Sequence, residues 1–421
     1  MKIVLGCYGT RGDVEPCAAL GRELLRRGHE VRMAVAPDLV GFVESVGLTA
    51  VACGPDAREW QDLHREFLTR LFRNFWKVRS VIRLGREDWH LLNRSWDEIT
   101  TTLLSLADGA DVLLTMVIGQ ESASDVAEYY DIPLALLHTS PMRPNGQLVA
   151  RLPAPVARSA MRVNDWLGWP VTRKLENVQR RKMGLPKATK LWSRRIAERG
   201  SLELQAYDEV CFPGLAAEWA QWKAQRPFVG ALTLELPTDA DEDVASWIAA
   251  GTPPIFFGFG STAVKSPADT IAMFSAACTQ LGERALVCAA ETEFSDFAHF
   301  ENVKVVGTLN YAAIFPACRA VVHHGGAGTT AAGLRAGVPQ LILSTFLDQT
   351  LWAAQVERLK VGTAGGFSTT EESLVADLRR ILDPQYVARA REIATRMTKP
   401  AESVATAVDL LEDFARKRRA G

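Results

Sequence analysis

The chain has 421 residues, of which 48% are hydrophobic and 23% are charged, and its formal net charge at pH 7 is −1. This length predicts two domains of roughly 200 residues each, and the composition is that of an ordinary globular protein. A net charge so close to zero argues against a nucleic-acid partner. The seven cysteines form no CxxC pair, so neither a disulfide framework nor a zinc site is indicated.

The N-terminus begins a strand almost at once and lacks the layout of a signal peptide. No run of about 18 apolar residues occurs, so the sequence predicts no membrane span. These observations lead us to expect a cytoplasmic protein. A contact with the inner membrane surface stays open because of the basic segment described below.

The first half of the chain alternates predicted strands and helices. Strands are expected at residues 3–7, 31–35, 49–52, 111–115 and 133–137, and helices at 14–27, 38–46 and 122–130. This alternation predicts an α/β domain with a parallel, doubly wound sheet over residues 1–230. Residues 210–212 and 227–229 are expected to be its closing strands.

Two helical insertions interrupt this first domain, at about residues 59–107 and 149–199. Both are rich in tryptophan and in basic side chains. A solvated helical face is the usual meaning of a basic run, and contact with an anionic membrane surface is the alternative. The tryptophans favour a bulky apolar ligand on this half, although core packing explains part of them.

A linker rich in proline and acidic residues spans residues 231–254, and a second alternating series follows over residues 255–400. Strands are expected at 255–258, 285–289, 303–306, 320–322 and 340–343, and helices at 268–281, 329–336, 349–359 and throughout 370–417. Residues 401–421 are expected to form a helix that packs back on the N-terminal domain.

The most informative stretch is the turn that follows the predicted strand at residues 320–322. Two histidines are followed by Gly325, Gly326 and Gly328, and a helix then begins. Strand, glycine turn and helix together place free backbone N–H groups and the positive end of a helix dipole at one point. The sequence therefore predicts a phosphate or diphosphate site. His324 can donate to the same anion or make a structural hydrogen bond, whereas His323 is expected to be buried.

Three motifs carry a family resemblance: residues 9–16 (GTRGDVEP), residues 258–261 (GFGS), and residues 323–339 with Asp348-Gln349 after them. With them the chain resembles the inverting nucleotide-sugar glycosyltransferases of family 1 type, above all bacterial antibiotic and glycolipid glycosyltransferases and sterol glucosyltransferases. The resemblance implies the GT-B fold, in which two Rossmann-like doubly wound parallel-sheet domains face each other across a cleft.

The resemblance also implies roles for particular residues. Asp13 takes the place of the general base, with a helix cap as its alternative role. The diphosphate is expected at Ser261, His324, Gly326, Gly328, Thr329 and Thr330. The sugar hydroxyls are expected at Asp348 and Gln349, and the nucleobase at Gly307 and Leu309. Thr10, Arg11 and Gly12 are weaker candidates for a phosphate or sugar loop.

The implied reaction moves a hexose or deoxyhexose from a UDP- or dTDP-sugar to a hydroxyl of a hydrophobic acceptor, such as a glycolipid, lipopeptide, sterol or polyketide. No cofactor or metal is expected, because the D-x-D spacing at residues 239–243 lies in the linker rather than after a strand. A sugar-nucleotide epimerase of the same fold and a non-catalytic sugar-nucleotide binding protein remain alternatives. A nicotinamide-dependent oxidoreductase is disfavoured, because Gly6, Gly9 and Gly12 have G-x-x-G-x-x-G spacing.

Overall fold

Two six-stranded parallel sheets form the framework of the molecule in the computed structural model, which describes residues 1–57, 94–148, 152–260, 266–289, 300–345 and 347–420. The first sheet has the strand order β3-β2-β1-β4-β5-β6 and the second has the order β12-β11-β10-β7-β8-β9. The strands are β1 Lys2–Cys7, β2 Glu30–Val35, β3 Thr49–Ala52, β4 Val112–Thr115, β5 Leu134–His138, β6 Leu202–Gln205, β7 Ile255–Gly258, β8 Ala285–Cys288, β9 Val303–Val306, β10 Ala320–His323, β11 Gln340–Ser344 and β12 Gly362–Gly366.

Helices cover both sheets. They are α1 Arg11–Arg26, α2 Val40–Ser45, α3 (residues 94–107), α4 Gln120–Tyr129, α5 Ala154–Lys182, α6 Trp192–Glu198, α7 Leu215–Glu218, α8 Asp241–Ala249, α9 Pro267–Leu281, α10 Tyr311–Ile314, α11 Ala327–Ala336, α12 Leu347–Leu359, α13 Glu371–Ile381, α14 Pro384–Ala394 and α15 Pro400–Ala420. Short 3₁₀ turns lie at Pro37–Leu39, Glu209–Cys211, Ala220–Trp222 and Phe315–Ala317. Among the helices described, none is both long and apolar enough to cross a membrane.

The strand order reverses between β1 and β4 in the first sheet and between β10 and β7 in the second. In open parallel sheets, ligands bind beyond the carboxyl ends of the strands at this reversal. The loops that leave β1, β7 and β10 are therefore the expected binding loops. They are the loops that carry the three motifs of the sequence.

Four expectations about the chain path are wrong in detail. The last strand of the first sheet is Leu202–Gln205, whereas Glu209–Cys211 is a 3₁₀ turn and Phe228 forms only an isolated bridge with Gln205. Strand β12 was not expected at all. Helix α1 begins at Arg11 rather than at residue 14. Prolines 384 and 400 divide the expected C-terminal helix into α13, α14 and α15, because proline favours the first turn of a helix over its interior. Residues 58–93 of the first predicted insertion lie outside the described residues.

The C-terminal helix packs on the first domain, where α15 lies against α1. Ala407, Val408, Leu411 and Ala415 are fully buried there, in one core with strands β1 and β2. Polar contacts follow the same seam, since Arg27 and His29 pair with acidic residues of α15, Asp409 at 2.5 Å and Glu412 at 2.7 Å. The C-terminal helix α15 therefore completes the hydrophobic core of the first domain.

The two halves also share an apolar cluster. Tyr207, Phe212 and Trp219 of the first half pack with Leu334 and Trp352 of the second. The ring centroids of Phe212 and Trp352 are 5.3 Å apart in an edge-to-face arrangement. This cluster fixes how the two halves pack against each other.

Arg335 on α11 adds a polar tie between the two halves. It donates to the carbonyl oxygens of Ala231 at 2.6 Å and Thr398 at 2.8 Å. It therefore joins the glycine-turn helix to the linker and to the segment that leads into α15.

Candidate active site

Asp13 lies in the first turn of α1, directly beyond the carboxyl end of β1. Its Oδ2 atom accepts hydrogen bonds from the backbone N–H of Thr10 at 2.8 Å and from the Thr10 hydroxyl at 3.1 Å. Thr10 is the N-cap residue, so the pair forms a capping box. The cap role and the position expected for a base therefore coincide in one side chain, which lies half-buried at the sheet edge.

Gly9 makes room for this carboxylate. Its φ of +139° is a conformation that other residues rarely adopt, and a Cβ atom on it would lie 2.4 Å from Asp13 Oδ2. The backbone of the first motif is thus shaped around the Asp13 side chain.

The two residues before Asp13, which begin helix α1, are more exposed than Asp13. Arg11 and Gly12 are exposed, and the Arg11 guanidinium lies 4.6 Å from the ring centroid of Phe42. Arg11 also lies 3.6 Å from Glu15. The first residues of α1 are therefore open to a ligand, while the Arg11 side chain already has partners.

The glycine turn forms the N-terminus of α11, with Gly326 as the N-cap. Helix geometry leaves the N–H groups of Ala327, Gly328 and Thr329 without acceptors inside the helix. Thr330 differs from the expectation, because its N–H and its hydroxyl both donate to the Gly326 carbonyl, at 2.9 Å and 2.8 Å. The amides available to an anion are therefore those of Ala327, Gly328 and Thr329, whereas the Thr330 amide is engaged inside the helix.

His324 lies between two glycines that touch its ring. A Cβ atom on Gly260 would lie 3.0 Å from its Cε1 atom, and one on Gly326 would lie 2.7 Å from its Nε2 atom. Burial lowers the pKa of His324 to about 4, against the opposing effect of the Gly258 backbone. Although Gly258 is close, no hydrogen bond of ordinary geometry from a described residue reaches the buried Nδ1 atom. His324 is therefore a neutral imidazole at pH 7, able to donate one N–H to an anion.

His323 is structural, as the sequence predicts. It is fully buried, its Nδ1 atom accepts from the Gly325 N–H at 3.1 Å, and its Nε2 atom lies 2.8 Å from Gln340 Oε1. These bonds require the neutral tautomer with hydrogen on Nε2, and burial lowers the pKa of His323 to about 3. The ring therefore locks the glycine turn to strand β11.

The start of α12 lies against the same turn. A Cβ atom on Gly325 would lie 3.0 Å from the carbonyl oxygen of Gln349, so the backbone of the turn lies close to that of the first turn of α12. The side chain of Gln349 is buried, and its Oε1 atom accepts from the N–H of Thr345 at 2.8 Å. The expected sugar pair thus begins beside the glycine turn. Ser261 lies outside the described residues, and so does the side chain of Asp348.

The expected nucleobase loop has one exposed and one buried member. Gly307 is exposed, with open space at its Cα, whereas the Leu309 side chain is buried in the core beneath α8. Only the backbone of Leu309 is therefore placed to meet a ligand. Asp241 holds this loop, since its Oδ1 atom accepts from the Asn310 N–H at 3.0 Å.

The acidic side chains of the D-x-D stretch hold other parts of the chain in place. Asp241 also accepts from the Thr238 N–H at 2.8 Å, and Asp243 pairs with Lys304 at 2.7 Å. Within the described ranges, no group of three or more His, Cys, Asp or Glu side chains is arranged to hold a metal ion.

The helix that carries Asp13 meets the helix of the glycine turn, because α1 lies against α11. Close by, Glu15 of α1 accepts from the Leu234 N–H of the linker at 3.2 Å. Burial raises the pKa of Tyr311 on α10 well above its usual value, and the charges of Glu15 and Arg11 also act on it. The helix contact thus brings the first motif, at residues 9–16, next to the glycine-turn motif at residues 323–339.

Comparison with known proteins agrees with this arrangement. Residues 3–90 match the glycosyltransferase family 28 N-terminal domain, and residues 272–410 match the erythromycin biosynthesis protein CIII-like C-terminal domain. An uncharacterized glycosyltransferase of Mycobacterium tuberculosis is 57% identical over 423 residues, with 100% of both chains covered. The chain belongs to the GT-B glycosyltransferases of family 1 type. A sterol 3-beta-glucosyltransferase of Arabidopsis thaliana is 27% identical, over 97% of this chain and 67% of the plant protein.

Solved structures show the same fold for this glycosyltransferase. The glycotransferase of kitacinnamycin superposes with a TM-score of 0.70 at 16% identity, over 98% of each chain. The glycosyltransferase VinC in complex with dTDP superposes with a TM-score of 0.64 at 19% identity, over 100% of each chain. These superpositions confirm the expected GT-B fold, and the family matches and the relatives confirm the expectation of a glycosyltransferase enzyme.

Proposed function

We propose that this glycosyltransferase moves a hexose or deoxyhexose from a UDP- or dTDP-sugar to a hydroxyl of a hydrophobic acceptor, with inversion at the anomeric carbon. The observation that carries the proposal is the contact between α1 and α11. This contact supports a single cleft for the Asp13 carboxylate and the N-terminal amides of α11, in which one group takes a proton while the others hold a leaving diphosphate.

In this reaction the acceptor oxygen forms a bond to the anomeric carbon as the bond from that carbon to the diphosphate breaks. Asp13 takes the hydroxyl proton, and its position is fixed by the hydrogen bonds from Thr10. The negative charge that develops on the diphosphate is met by the amides of Ala327, Gly328 and Thr329 and by the N–H of neutral His324. Gly326 supplies the turn. The proposal needs no metal, because helix N-termini stabilise phosphate charge.

The remaining assignments belong to the same proposal. Ser261 adds a hydroxyl donor to the diphosphate, Asp348 and Gln349 bind sugar hydroxyls, and Gly307 with the backbone of Leu309 contacts the base. The dTDP complex of VinC supports a pyrimidine nucleoside diphosphate, and the plant sterol 3-beta-glucosyltransferase supports a hydrophobic alcohol as acceptor. The enzyme then acts in the cytoplasm, with a peripheral contact to the inner face of the membrane.

The test is to incubate the protein with UDP- and dTDP-sugars in the presence and absence of hydrophobic alcohols such as sterols. Release of nucleoside diphosphate that depends on the alcohol, with a product of inverted anomeric configuration by NMR, is the expected result. Full activity in a chelator is also expected. Release without any acceptor would favour an epimerase of the same fold, and tight binding without turnover of any sugar would favour a non-catalytic binding protein.

A further inference from the structure

Helix α5 carries a row of large apolar side chains that face away from the protein. Val156 and Val163 are each 52% exposed, Leu167 is 62% exposed and Trp166 is 68% exposed. Val156, Val163 and Leu167 are separated by seven and then four residues, which places them on one face of the helix. An exposed apolar surface of this kind marks a contact with a partner or a membrane.

The opposite side of α5 is firmly attached to the first domain. Leu175 and Glu176 are buried there, and Arg180 pairs with buried Asp125 at 2.5 Å and with Glu128 at 2.8 Å. Arg195 of α6 pairs with the same acidic residues and with Glu176. These contacts hold the part of α5 that follows Pro170, and the apolar row lies in the part before it.

Cationic side chains flank the apolar row. Arg162, Arg173 and Lys174 are exposed, whereas the two acidic residues of α5, Asp165 and Glu176, are half-buried and buried. The exposed surface of α5 therefore pairs apolar and basic side chains, without an exposed carboxylate to oppose an anionic partner.

A pocket of about 420 Å³ opens beside the first part of α5, where Arg158, Arg162, Glu218, Trp222 and Arg226 line it. The charge of Glu218 is held by Arg158 at 2.7 Å and by the Gly146 N–H at 3.0 Å. Arg226 pairs with buried Glu203 at 3.1 Å. Among the described residues none forms an ion pair with Arg162, so this pocket has the charge to receive an anionic headgroup.

We propose that α5 is an interfacial helix that docks this enzyme on an anionic phospholipid bilayer. Val163, Trp166 and Leu167 enter the boundary between headgroups and acyl chains, and Arg162 and Arg173 contact lipid phosphates. A second copy of the chain fits this face poorly, because the basic side chains of the two copies would oppose each other. The proposal specifies the membrane contact named above, and it is tested independently of the transfer reaction.

The experiment is sedimentation of the full chain with vesicles of phosphatidylcholine alone or of phosphatidylcholine mixed with phosphatidylglycerol. Binding to the mixed vesicles that weakens as salt is added is expected, with little binding to the neutral ones. The double variant Trp166→Ser/Leu167→Ser should lower the partition coefficient by about tenfold or more. Arg162→Gln should lower it about fivefold. The matched control Leu25→Ser changes a residue that is 46% exposed on α1, and it should bind as the unchanged chain does.

Circular dichroism and nucleoside diphosphate affinity verify that each variant is folded. Absence of binding to the mixed vesicles overturns the proposal, as does equal loss of binding in Leu25→Ser. Should analytical ultracentrifugation show a dimer that the double variant abolishes while vesicle binding is unchanged, the face belongs to a second copy and the membrane role is refuted.

Discussion

Substitution of Asp13 by asparagine separates its two proposed roles. The asparagine carbonyl oxygen can still accept from the Thr10 N–H, which now donates to Asp13 Oδ2 at 2.8 Å, so the cap is largely kept. What is lost is a negative charge near the helix N-terminus, a change of about 0.3–1 kcal/mol in the free energy of unfolding. The midpoint of thermal unfolding should therefore fall by only about 1–4 °C for a domain of this size.

Turnover should respond far more strongly than stability. Removal of a general base lowers the rate by about 100- to 10,000-fold, which corresponds to about 3–5 kcal/mol in the activation barrier. The assay is release of nucleoside diphosphate with a saturating sugar donor and alcohol, beside calorimetry of nucleoside diphosphate binding. Asp13→Ala is the matched variant, because it loses the base and also the cap acceptor, at a further cost of about 1 kcal/mol.

The result that would refute this reasoning is a parallel loss. If Asp13→Asn lowers nucleotide affinity as much as turnover, the side chain shapes the site rather than taking a proton. Full turnover in a folded Asp13→Asn variant would exclude it as the base altogether.

Three further predictions follow from the second half. His324→Ala should weaken nucleoside diphosphate binding about tenfold by calorimetry, equally at pH 6 and pH 8, because the imidazole is neutral across this range; an unchanged affinity would remove it from the site. Burial depresses the pKa of His323 in the folded chain, so the free energy of unfolding should fall as pH is lowered below about 6.5, by about 1.4 kcal/mol per pH unit for this proton. His323→Gln should flatten that decline in urea titrations. An unaltered slope would contradict the assignment. Arg335→Met should lower the free energy of unfolding by about 2–3 kcal/mol, because carbonyl groups of Ala231 and Thr398 lose their donor. The control Arg26→Met, at a side chain that is 72% exposed, should change it by less than about 0.5 kcal/mol, and equal effects would show that Arg335 is no tie.

Most strands were predictable because both faces of each sheet are covered, which produces short, continuous apolar runs. Strand β6 lacks such a continuous apolar run. Leu202 and Leu204 face the core, while Glu203 is buried on the other face by Arg143 and Arg226, which lie far from it in the sequence. No local pattern shows that a glutamate will be covered by distant arginines.

Strand β12 was missed for the opposite reason, since three of its five residues are glycine. A Cβ atom on Gly362 would lie 1.9 Å from the Gln340 carbonyl oxygen, so glycine permits this strand to approach β11. The start of α1, in contrast, was predictable. Thr10 followed three residues later by an acidic side chain is the pattern of a capping box, and this pattern places the helix start directly after Thr10 rather than at residue 14.

The sequence motifs of the site could be predicted, but the distances between its residues could not. The glycine turn indicates an anion site because the strand, the glycines and the helix are consecutive in the chain. Which amides are available depends on where the helix begins, and it begins at Ala327 rather than at the expected residue 329. The neutral state of His324 depends on burial between Gly260 and Gly326, which only the folded chain reveals.

The return of α15 to the first domain has a consequence for biosynthesis. A ribosome releases the N-terminal residues first, and domains ordinarily fold in that order. Here the core around Leu20 and Leu24 lacks Val408 and Leu411 until nearly the whole polypeptide has been made. Until the last turns of α15 have been synthesised, the first domain therefore exposes an apolar surface. An early stop that removes only those turns would therefore harm the part of the protein that was synthesised first.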